Sequence, residues 1–156
     1  TATLVNFRRS FCVWSQVSRG STEVPGLALG LAQVNGTSCQ GIVFQLSHGK
    51  AMSDLKATWE RGLFTAVYQP KWRKVTTDDR EGYAIAFIVD TNHPQYAPRL
   101  SLDDTARIII QAVGENGTCL DYLVNTVREL AVIGCEDPYV NDLYAMVEKQ
   151  SAMSEI

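Results

Sequence analysis

The sequence predicts an α+β fold, a small mixed or antiparallel, barrel-like β-sheet flanked by helices. Three observations lead there. A period-two pattern rich in β-formers runs from Phe11 to Gln16 with further strand-like apolar runs up to Leu46, an apolar residue recurs every fourth position from Ala51, and the last third reads as helices punctuated by glycine.

Phe11, Val13 and Ser15 alternate with Cys12, Trp14 and Gln16, a pattern rich in β-formers. Gly20, Pro25 and Gly26 break it, and Leu27 to Val34 reads as a second strand. Asn35-Gly36 between two apolar runs signals a hairpin, so Cys39 to Leu46 is expected as a third strand, with a bulge at Gly41. From Ala51 the period lengthens: Ala51, Leu55, Trp59 and Leu63 mark an amphipathic helix of about four turns. Two strands follow, near Ala66 to Thr76 with Pro70 inside it, and near Tyr83 to Val89.

Beyond Pro94 and Pro98 the pattern is helical. Ser101 with Asp104 three residues on forms an N-cap arrangement, with Asp in place of the usual Glu. Helices are expected near Leu102 to Val113, Cys119 to Ile133 and Tyr139 to Gln150, with Gly114, Gly117 and Gly134 at C-cap positions. Residues 151–156 read as a frayed tail, and residues 1–150 as one domain without repeats or long linkers.

Composition narrows the function. With 46% hydrophobic residues in a chain of 156, one domain can bury a core. A net charge of −3 argues against a nucleic-acid surface; the only basic cluster, Lys71 to Lys74, reads as a solvated strand end. No apolar run reaches the roughly 18 to 20 residues a membrane span needs. The four cysteines lack CxxC spacing and neighbouring histidines, which speaks against a structural metal and for free thiols in a reducing, cytoplasmic setting. The chain starts at Thr1 close to strand-like sequence and shows no signal-peptide pattern, so a preceding segment is expected to have been removed.

Generic catalytic motifs are missing: there is no Gly-rich phosphate loop, GxSxG or HExxH. His48 and His93 are isolated and read as ordinary surface histidines. Asp78-Asp79 and Asp103-Asp104 are adjacent carboxylates that do not face each other, so turn and capping roles fit them better than a metal site. No cofactor is expected.

Longer patterns are more informative. Thr3-Leu4-Val5 leads into Arg9-Ser10-Phe11-Cys12, followed by Gly20 and Pro25-Gly26. Trp59 to Trp72 carries Thr65, Tyr68 and Pro70 between its ends; Ala86 to Asp90 precedes His93-Pro94-Gln95-Tyr96. Gly114, Gly117, Asp121-Tyr122-Leu123, Leu130 and Gly134 complete the set. In this order the chain resembles most of a ChaC-type γ-glutamylcyclotransferase domain.

The resemblance implies a specific chemistry. The substrate's own α-amine attacks its γ-carbonyl, closing 5-oxoproline and expelling the remainder, which for glutathione is Cys-Gly. One carboxylate can take the proton from the attacking amine and return one to the leaving amine, while backbone N–H groups hold the developing oxyanion. The family supplies the carboxylate from a Glu on the helix after the first strands, and the oxyanion grip from a Tyr-Gly-Ser-Leu loop. Tyr68 and Tyr96 match its cavity-lining, substrate-binding tyrosines, although half-buried aromatics at strand and loop ends would look the same.

Two departures stand out. The family's Glu position is Gly62, after Arg61; Glu60 is the nearest carboxylate, and two residues along a helix turn it about 200° away. The first strand and its loop fall upstream of Thr1, so the fold is expected to lack them and to leave a strand edge that a second copy could pair with as a homodimer. Two readings stay open: a glutathione-converting cyclotransferase domain, or a catalytically impaired relative that binds a γ-glutamyl compound or a protein.

Overall fold

The computed structural model describes residues 1–47, 49–62 and 66–154; of residues 58, 59, 61, 62 and 154 it describes the backbone alone. His48, Leu63 and Thr65 lie outside the described residues, as do the side chain of Trp59 and the expectation that it faces the packed side of its helix.

Strand β1 (Ala2–Ser15) and β2 (Gly26–Gly41) form a long antiparallel ribbon, and β3 (Tyr68–Thr76) and β4 (Glu81–Val89) form a second. The four strands lie in the order β2-β1-β3-β4, but β1 and β3 share only the Thr3–Thr76 pair. The sheet curls without closing. Although β2 and β4 are at opposite ends of that order, a Cβ placed on Gly30 would fall 2.3 Å from Val89 Cγ2. Helix α1 (Ala51–Gly62) links the ribbons, and α2 (Leu102–Gln111), α3 (Cys119–Val132) and α4 (Pro138–Ser154) follow, with a minimal ribbon, β5 (Val113–Gly114) and β6 (Gly117–Thr118), between α2 and α3.

Helix starts obey local chemistry. Ser101 Oγ accepts the Asp104 backbone N–H at 3.0 Å and donates to Asp104 Oδ2 at 2.6 Å; Thr118 Oγ1 caps α3 by accepting the Asp121 backbone N–H at 2.9 Å. Gly134 ends α3 with φ 66°, the left-handed conformation a C-terminal glycine supplies without strain. Ile109, Leu123, Val140 and Leu143 are fully buried against Phe11 and Leu27, so the main core lies between the three C-terminal helices and the first ribbon.

Four expectations need correction. Asn35-Gly36 does not make a hairpin: β2 runs through it, because the excursion is absorbed as a bulge opposite Asn6. Gly36 takes φ 78°, Asn6 takes φ 63°, and the Gly36 N–H donates to Asn6 Oδ1 at 3.0 Å. Residues 42–46 are consequently not a strand but an exposed, irregular apolar segment after Gly41. Gly114 and Gly117 belong to β5 and β6 rather than to helix caps, and α4 continues helically through residues 151–154, where a frayed tail was expected.

Candidate functional site

Where the two ribbons diverge from the Thr3–Thr76 rung, a cleft of about 840 Å³ opens. Its walls are strand residues such as Leu29, Leu31 and Ala86, the apolar segment after Gly41, and Leu55 of α1. Among the described residues polar groups are few: Arg9, Cys39, Gln40, Tyr68, Trp72 and Tyr83. That is the size and character of a small-molecule site, an apolar hollow with a handful of orienting groups. No carboxylate lines it among the described residues.

Tyr68 projects from the start of β3 and donates its hydroxyl proton to the Leu29 carbonyl at 2.7 Å. Burial, with Tyr122 and Cys12 nearby, holds its phenol well above the ordinary value, so it stays protonated. Its oxygen keeps lone pairs for a ligand N–H, but its proton is already engaged. Tyr122 receives the Leu29 N–H at 3.4 Å, and Cys119 both accepts from Leu27 N and donates to Leu27 O. The free edge of β2 is thus closed by side chains from β3 and α3.

Arg9 is the cleft's cation. It donates to Asp137 Oδ2 and to the Gln40 carbonyl, each at 2.6 Å. Both partners of the ion pair are mostly covered, at 16% and 14% side-chain exposure. Burial alone would lower the Arg9 pKa, but Cys39, Asp137 and Cys135 around it together raise it, so the charge is permanent. Arg9 stood in the Arg-Ser-Phe-Cys run; its partner, 128 residues away, left no local signal.

Tyr96 is elsewhere. It bridges Val13 in antiparallel fashion and lines a second hollow of about 390 Å³ with Arg8, Arg99, Thr105 and Tyr139. Tyr68 and Tyr96 pack against one small cluster, Cys12, Val13, Val67 and Val89, but line different hollows. The expected single concave site holding both tyrosines is therefore two. Glu60 is exposed and lies 3.8 Å from Lys56, one turn back on α1. Gly62, at the end of α1, follows Leu55 by seven residues and so shares its helix face. Among the described residues no group of three or more His, Cys, Asp or Glu side chains could hold a metal.

The model of the family described as ChaC-like protein matches residues 1–150. The chain belongs to the ChaC-like family. Among curated relatives of this ChaC-like chain, the glutathione-specific γ-glutamylcyclotransferase of Escherichia coli (strain K12) is 34% identical over 150 residues, which cover 96% of this chain and 64% of that protein. The chain thus spans a little under two thirds of that relative's length. The γ-glutamylcyclotransferase 2-3 of Arabidopsis thaliana is 24% identical over 169 residues, covering 96% of the chain and 78% of the plant protein. A crystal structure of a yeast γ-glutamyl cyclotransferase specific to glutathione superposes with a TM-score of 0.85, covering 95% of this chain and 86% of that one at 17% identity, which shows that the ChaC-like chain has the same fold.

Proposed function

We propose that this ChaC-like domain handles glutathione as a γ-glutamylcyclotransferase does, releasing 5-oxoproline and Cys-Gly. The observation that carries the reading is the 34% identity, across nearly the whole chain, to a relative named for that activity. The 840 Å³ cleft beside α1 gives the substrate a place, with Tyr68 as an acceptor and Arg9 as a fixed positive charge toward substrate carboxylates. Tyr96 is assigned to substrate contacts at the neighbouring hollow.

A second reading is favoured by one residue. With glycine at position 62, no carboxylate lines the cleft among the described residues to serve as the proton-transfer group. Glu60 points to solvent beside Lys56. The domain would then bind a γ-glutamyl compound with little turnover. Incubation with glutathione decides: released 5-oxoproline and Cys-Gly support the first reading, saturable binding without release supports the second, and neither refutes both.

Two further assignments belong here. The four cysteines are all free, which suits a reducing, cytoplasmic compartment, and no helix among the described residues is long and apolar enough to cross a membrane. The β1 edge toward β3 is met at Thr3 by Thr76, at Phe11 by the Tyr139 hydroxyl and at Val13 by the Tyr96 bridge; the stretch between Thr3 and Phe11 has no strand alongside it, and such edges attract another chain. A homodimer paired there should show as concentration-dependent mass in light scattering; a constant monomer mass refutes it.

A further inference from the structure

Two thiols, one in the wall of the larger cleft and one buried behind it, have no part in the chemistry above. Cys39 lies near the end of β2 and lines the cleft; Cys135 lies just past α3, after Gly134. Far apart in sequence, they meet at one atom. The Gln40 carbonyl oxygen is 3.5 Å from Cys135 Sγ and 3.7 Å from Cys39 Sγ. It also accepts the Arg9 guanidinium at 2.6 Å. A carbonyl has two lone pairs, and the short charged bond takes the better geometry. The two sulfurs are left as weak donors sharing one acceptor, beside a guanidinium pinned by Asp137.

Burial and charge act on Cys39 in opposite directions. Burial raises the Cys39 pKa overall, but Arg9 pulls against it by favouring the thiolate, which is the attacking species. The other cysteines are placed differently. Cys119 is fully buried and both donates to and accepts from Leu27; Cys12 faces the second hollow.

We propose that Cys39 and Cys135 form a thiol–disulfide exchange site opening on the cleft, with a small glutathione-type disulfide as its substrate. The Cys39 thiolate attacks one sulfur of the small disulfide; that S–S bond breaks, and the departing thiolate takes up a proton. Cys135, as its thiolate, then attacks Cys39 Sγ in the mixed disulfide, expelling the second small thiol. Two protein thiols and one small disulfide become one protein disulfide and two small thiols, so the protein is oxidised by two electrons and the small disulfide reduced by two. The choice of a glutathione-type disulfide rests on the reading of the cleft given above; the dithiol does not.

The test uses the whole chain. After incubation with oxidised glutathione, free thiols are alkylated under denaturing conditions and the peptides mapped by mass spectrometry. The expected result is a Cys39–Cys135 link with Cys12 and Cys119 alkylated. Closing a loop of roughly 100 residues should raise Tm by about 5–10 °C. Cys135→Ser should stop at a stable mixed disulfide on Cys39. Four alkylated cysteines after both oxidised glutathione and diamide, or links between other pairs, overturn the site. A Cys39–Cys135 link formed by diamide but not by oxidised glutathione keeps the dithiol and overturns the substrate. None of these outcomes reads 5-oxoproline, so failure here and failure of the proposed activity are separate results.

Discussion

The Tyr68 hydroxyl donates to the Leu29 carbonyl at 2.7 Å, tying the start of β3 to the free edge of β2. Leu29 is the residue whose N–H meets Tyr122, so one edge residue is satisfied by phenols from two directions. Tyr68→Phe removes the donor and leaves a partly buried carbonyl without it, a loss of about 1–3 kcal/mol in urea unfolding. Tyr83→Phe, at an exposed tyrosine on β4, should change stability by less than about 0.5 kcal/mol. Equal effects from the two would show that the Leu29 contact contributes nothing.

Gly30 marks the close approach of β2 to β4. A methyl group there would sit 2.3 Å from Val89 Cγ2 and 2.7 Å from Cys12 Sγ, so Gly30→Ala should cost about 1–3 kcal/mol through overpacking. Gly82→Ala meets nothing within 4 Å and serves as the control. Thermal melts of the pair decide the matter, and an unshifted Gly30→Ala melt would mean that the ribbons are not in contact.

These contacts also show what a single sequence reveals. The Ser101–Asp104 cap was readable because both partners lie within one helical turn. So was the α+β plan, which depends on periodicity alone. Asn35-Gly36 misled because its resolution is not local: Asn6, thirty residues upstream, accepts the Gly36 N–H and lets the strand pass on. The site was legible only in pieces. Tyr68 and Tyr96 could be singled out, but not their separation into two hollows, which follows from the curl of the sheet. The Arg9–Asp137 pair spans 128 residues, and no spacing rule reaches that far.

Asp137→Asn should strand the Arg9 charge in a largely covered site. Breaking a buried pair from one side typically costs about 3–5 kcal/mol; the residual exposure of both groups puts the expected loss near the lower figure. Circular dichroism at graded denaturant would read it. A variant as stable as the parent would show that solvent reaches Arg9 freely.

Stability should fall in alkali. The phenols of Tyr68, Tyr122 and Tyr139 and the thiols of Cys12, Cys39 and Cys119 all have pKa values raised chiefly by burial. For each, the folded chain keeps a proton that the unfolded chain releases from about pH 9 for thiols and pH 10 for phenols. Their contribution is therefore intact below pH 9 and is lost progressively above it. Unfolding free energy that stays flat from pH 8 to 11 would contradict the burial of these groups.

Turnover should depend on position 62. General acid–base catalysis contributes about 10²- to 10⁴-fold, so Gly62→Glu should raise 5-oxoproline release by about 10²-fold or more over the parent chain. Strong release by the unaltered chain would point to another acid–base group, and Glu60→Gln would be the first substitution to make.

The single Thr3–Thr76 rung gives the domain an uneven stiffness. Load applied along either ribbon is spread over a full ladder of backbone bonds. Load applied across the seam falls on one backbone rung, the Tyr68 phenol and side-chain packing, in which Leu4, Phe7 and Leu31 meet Val75, Ala86 and Ile88. The direction of least resistance is therefore the one that changes the width of the cleft, and a molecule wedged between the ribbons works against the weakest axis the sheet has.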